Sequence, residues 1–95
     1  MCLGIPGQIV DLTDVSQHKA LVEVSGVRRA IHVGLLLDGD GPGQGLEVGD
    51  WVLVHVGFAM SKMDAEEAER TLTFMRELGE YFDEEISQFR ESSPL

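Results

Sequence analysis

Ninety-five residues with 17 acidic and seven basic side chains give a formal charge of −10, which sets the first limits. A chain this acidic is repelled by phosphate backbones and anionic bilayers, which argues against nucleic-acid and membrane partners. An apolar fraction of 43% fits one folded domain over residues 1–95, and a lone cysteine excludes an internal disulfide, as suits a cytoplasmic protein.

No apolar run approaches the ~20 residues that cross a bilayer, and the first residues carry neither the basic nor the apolar region of a secretory signal. The opening stretch Met1-Cys2-Leu3-Gly4-Ile5-Pro6-Gly7 holds the only cysteine, one residue from the start. Pro6 fixes its own φ and biases Ile5 towards extended backbone. The pattern predicts a short tether bearing one soft nucleophile or metal ligand. Its bland alternative is a small hydrophobe packed at a chain end.

Gly7 to Leu12 reads as a short strand and Thr13 to Lys19 as a polar loop. From Ala20 the residues alternate, with Ala20, Val22 and Val24 on one side; Ser25-Gly26 then supplies a tight turn. Val27 to Val33 completes the hairpin, with Val27, Ile31 and Val33 sharing a face with Arg29, opposite Arg28, Ala30 and His32. Residues 38–45 contain four glycines and a proline, which predicts a surface loop. A turn over Leu46 to Asp50 leads into Trp51 to Gly57, read as the strongest strand. Val52, Val54 and Val56 are expected to face the core. Trp51, Leu53 and His55 form a second face, too apolar to stay wholly wet. Phe58 to Met60 continues as a further extended segment ending near Lys62.

The character changes at Met63-Asp64. Asp64 followed by Glu67 is a capping-box pattern, and the acids after it complement the helix dipole. Ala68, Leu72, Met75, Leu78, Phe82, Ile86 and Phe89 recur on one stripe, interrupted at Gly79, so one bent helix or two helices are expected over 64–91. The acid excess concentrates here: ten acidic and three basic side chains lie beyond residue 63, against seven and four before it. Together the elements predict a mainly β fold, a small five-stranded OB-like β-barrel over 1–63 with a C-terminal α-helical appendage over 64–91; an SH3-like barrel is the second choice.

Of three histidines, His18 and His32 read as solvated, whereas His55 interrupts the most apolar strand. A thiol and an imidazole can form a nucleophilic pair, ligate a soft metal in part, or merely coexist. One cysteine and one suitable histidine fall short of a complete zinc site, so any metal held here needs ligands from a partner or from small diatomic molecules. No acidic residue is evidently placed to orient His55, which weakens a catalytic triad.

Met1 to Gly7, together with Val48-Gly49-Asp50-Trp51-Val52-Leu53-Val54-His55-Val56-Gly57-Phe58-Ala59, resembles the HypC/HybG/HupF family of [NiFe]-hydrogenase assembly chaperones. The resemblance extends from residue 1 to about 80. It implies a non-enzymatic maturation factor that binds the iron–sulfur scaffold protein HypD and the hydrogenase large-subunit precursor. The Fe(CN)2CO unit would be carried transiently between them, with no permanently bound cofactor. On this resemblance Cys2 and His55 share an iron site with the partner, and Cys2, Leu3, Ile5 and Pro6 meet that partner. Two departures stand out: the 38–45 loop is longer than the family leads one to expect, and Met1 precedes a cysteine that the family is expected to carry as its first residue. The alternative is a metal-free acidic adaptor acting through its helix stripe and the Trp51/Leu53 face.

Overall fold

The computed structural model describes residues 4–38 and 44–91. These residues form five strands and two α-helices. The strands are β1 (Ile5–Asp11), β2 (Lys19–Val24), β3 (Val27–His32), β4 (Trp51–His55) and β5 (Phe58–Met63). The helices are α1 (Ala65–Leu78) and α2 (Glu80–Glu91).

Hydrogen bonding runs in the order β1-β2-β3-β5-β4 and returns from β4 to β1, so the sheet closes on itself. All pairings are antiparallel except β3 with β5, which are parallel and joined at one registered pair, His32 opposite Phe58. Alternation explains the core. Val22 and Val24 of β2, Ile31 of β3, Val52 and Val54 of β4 and Ala59 of β5 point inward with Ile5 and Ile9 of β1, all buried. Leu46, expected in a turn, is buried among them, and so is Val15, which opens a single 3-10 turn inside the predicted 13–19 loop.

The helices are more than an appendage. Ala68, Leu72 and Met75 of α1 and Phe89 of α2 are buried, and Tyr81, Phe82 and Ile86 pack against the same core. The fold is therefore mixed α and β, a five-stranded sheet completed by two helices, where a mainly β domain was expected. Capping accounts for where α1 starts: the Asp64 carboxylate accepts the Glu67 N–H at 3.2 Å. Gly79, with φ +64, ends it and lets the chain turn into α2.

Two hairpin turns share one geometry. Ser25 and Gly26 both have positive φ (48° and 85°), and so do Val56 and Gly57 (43° and 87°), as two-residue turns between twisted strands require. The first turn matches expectation. The second corrects it: Val56 is a turn residue, 58% exposed, where the alternation placed it in the core. A β-branched side chain is unfavourable at positive φ. Replacing Val56 with asparagine removes that strain and forfeits little burial, so V56N is expected to stabilise the fold by about 1 kcal/mol in urea titration.

Candidate functional site

The root of the N-terminal segment is fixed by β1. Its register against β4 sets Ile5 opposite Val54 and Pro6 opposite Leu53, which brings Gly4 level with His55. Gly4 has φ +91, and a side chain there would run into the Val54 carbonyl oxygen and come within 3.2 Å of the His55 Cβ. Glycine is thus dictated by the close approach of two backbones, which sets residue 4 beside His55.

His55 is half-buried at the end of β4, on the outward face it shares with Leu53. Across the β4–β5 pairing it lies opposite Phe58, and Phe58 is registered on its other side with His32. The His32 imidazole stacks on the Phe58 ring, centroids 5.0 Å apart and planes inclined by 19°. His32 was expected to be solvated; it is half-buried because the parallel β3–β5 junction sets it beside an aromatic ring. Its backbone N–H donates to the Gly57 carbonyl at 2.9 Å, which ties this junction to the second hairpin turn. His18 is exposed, as expected, and closes the 3-10 turn in the left-handed region.

Of the residues expected to form the site, Cys2 and Leu3 lie outside the described residues. Ile5 and Pro6 are buried against the sheet, so their side chains anchor the segment and present no surface to a partner. Among the described residues no group of three or more His, Cys, Asp and Glu is placed to hold a metal ion.

Beside Gly4 opens a groove of about 400 Å³. Leu53 and Met63 line it from the sheet, Phe74, Met75 and Leu78 from α1, and Tyr81 from α2. The helices thus cover part of the Trp51/Leu53 face, as its apolar character required, while Trp51 packs against the core. Leu78 departs from the predicted packing stripe. At 100° per residue, Ala68, Leu72 and Met75 face the core, and Leu78 joins Phe74 and Thr71 on an adjacent stripe that borders the groove. Phe74 is 61% exposed and Leu78 49%. Phase was the sequence signal for this second stripe: Thr71, Phe74 and Leu78 repeat at steps of three and four, offset by one residue from the core set.

A comparison with known families matches residues 1–75 to the HupF/HypC family. The chain is 55% identical to the hydrogenase maturation factor HypC of Rhodobacter capsulatus, over 84% of this chain and 80% of the relative. Against the hydrogenase maturation factor HybG of Escherichia coli K12 it is 44% identical over 82% of this chain and 92% of the relative. The HypC of Azotobacter chroococcum is 45% identical over 84% of each chain.

Proposed function

Because this chain belongs to the HupF/HypC family of hydrogenase maturation factors, we propose that it is a non-enzymatic carrier of Fe(CN)2CO, the unit destined for the [NiFe] active site. In this reading Cys2 supplies a thiolate to the iron, His55 supplies an imidazole, and the remaining coordination comes from cyanide, carbonyl and the partner. A HypD-like scaffold would hand over the unit, and the precursor of the hydrogenase large subunit would receive it.

The observation that carries this reading is the placement of Gly4. Its backbone sits against Val54 and His55, and only two peptide steps separate it from Cys2. Two steps span at most about 7 Å, a length that supports reading Cys2 and His55 as ligands of one iron. A soft thiolate and an imidazole are suitable ligands for iron, and a site of two protein ligands favours release over storage. The five-strand order, with β3 joined to β5 in parallel, supports reading the closed sheet as OB-like. No helix among the described residues is long and apolar enough to cross a membrane; placing the protein in the cytoplasm belongs to this proposal.

Infrared spectroscopy on protein purified anaerobically with its scaffold partner tests the proposal. Cyanide and carbonyl stretching bands are expected in the wild type and absent in Cys2→Ala. Bands that persist undiminished in Cys2→Ala would sink it. The second reading, a metal-free acidic adaptor, is favoured by the apolar groove, and it requires Cys2→Ser to leave both partner binding and hydrogenase maturation intact.

A further inference from the structure

The groove beside Gly4 is apolar on its floor and acidic on its rim. Phe74 forms the ridge between it and a second hollow lined by Glu69, Arg70, Thr73 and Glu77. Arg70 pairs with Glu66 at 3.4 Å, so Glu69 and Glu77 set the sign of that rim. Beyond Leu78, α2 opens with Glu80. The helices as a whole hold most of the chain's acid excess. Inside, Met63 and Met75 offer flexible, polarisable side chains that adapt to the shape of an incoming group.

We infer that this groove receives an apolar segment of a maturation partner that is flanked by lysine or arginine side chains. The inference rests on the carrier reading and adds to it the chemistry by which a partner is recognised. Charge decides against a second copy, because pairing two grooves would bring two strongly acidic helix pairs together. Apolar anchors inserted between Phe74 and Leu78 would supply the affinity, and basic flanks meeting Glu69 and Glu77 would speed encounter and fix orientation. The position also has a consequence for cargo. Gly4 lines the groove, and Leu53, which lines it too, is two residues from His55 on the same strand face. A segment docked there lies next to the root of the Cys2 tether.

The test measures binding of the full chain to the purified HypD-like scaffold, as a function of salt. Phe74→Asp with Leu78→Asp is expected to weaken binding at least thirtyfold, with an unchanged circular dichroism spectrum because both side chains are exposed. Glu69→Lys with Glu77→Lys is expected to weaken it several-fold at low salt and to flatten the salt dependence. Leu35→Asp, at an exposed side chain that does not line the groove, should bind like wild type. Normal binding by the Phe74/Leu78 variant overturns the inference while leaving the Cys2 infrared result free to stand. Three other outcomes also overturn it. One is dimerisation of the free wild type that the Phe74/Leu78 variant abolishes, which assigns the groove to a second copy. Another is faster alkylation of Cys2 in that variant without partner, which assigns it to the chain's own first residues. The last is a wild type that binds no scaffold, which removes the carrier reading as well.

Discussion

Gly4→Ala is expected to destabilise the fold by about 3 kcal/mol and to cut hydrogenase maturation in step. Two effects add. Alanine at φ +91 is conformationally unfavourable, and its Cβ has no room, because the Val54 carbonyl oxygen occupies the space. Backbone cannot move aside as a flexible side chain can, so relief requires the first turn of β1 to peel from β4. Ile5, 1% exposed, would lose packing as this happens. A domain of this size should lose on the order of 10–20 °C in Tm. Gly26→Ala is the matched control: its φ is also positive, at +85°, but nothing lies within 4 Å of the added carbon. Dihedral strain alone should cost about 1 kcal/mol there. Equal Tm losses in the two variants would show that the close approach of residue 4 to β4 is not what fixes the tether.

That contrast marks how far the sequence reveals the fold. Alternation at Ala20, Val22 and Val24 and the Ser25-Gly26 turn were enough to place a hairpin, because burial on one face leaves register no freedom. The helix start at Asp64 and the break at Gly79 were equally legible, since capping and glycine act locally. What escaped depends on neighbours distant in sequence. Val56 continues a perfect valine alternation, and only the return of β5 along β4 shows that the strand has already ended at His55. His32 looked solvated because nothing in its own segment announces Phe58, which reaches it through the parallel junction. The groove required knowing the phase of α1 against the sheet. Phe74 and Leu78 are ordinary helix apolars until Ala68 and Leu72 are seen to take the core, leaving the next stripe half open. Of the candidate site, His55 stands out in the sequence as an imidazole on an otherwise apolar strand, and its place on β4 was legible there, whereas the buried setting of Ile5 and Pro6 follows from a β1–β4 pairing between segments more than forty residues apart.

His55→Ala carries the other large effect, and its form matters more than its size. His55 ends β4, half-buried and adjacent to the Val56-Gly57 turn, so its truncation should shift Tm by only a few degrees. Its effect on cargo should be far greater: losing one of two protein ligands is expected to reduce iron-bound cyanide and carbonyl signal, and hydrogenase activity with it, by about 10- to 100-fold. Cys2→Ala should remove the infrared bands and leave only a trace of maturation, larger than the assay's background. If thiol and imidazole grip the same iron, the double variant can be no worse than Cys2→Ala alone, because the second ligand has nothing left to hold once the first is gone. Residual maturation in the two single variants should therefore not multiply. Multiplicative losses would mean that Cys2 and His55 act at separate steps, one in cargo binding and the other in partner contact. The adjacency of Gly4 to His55 would then serve only to anchor the chain.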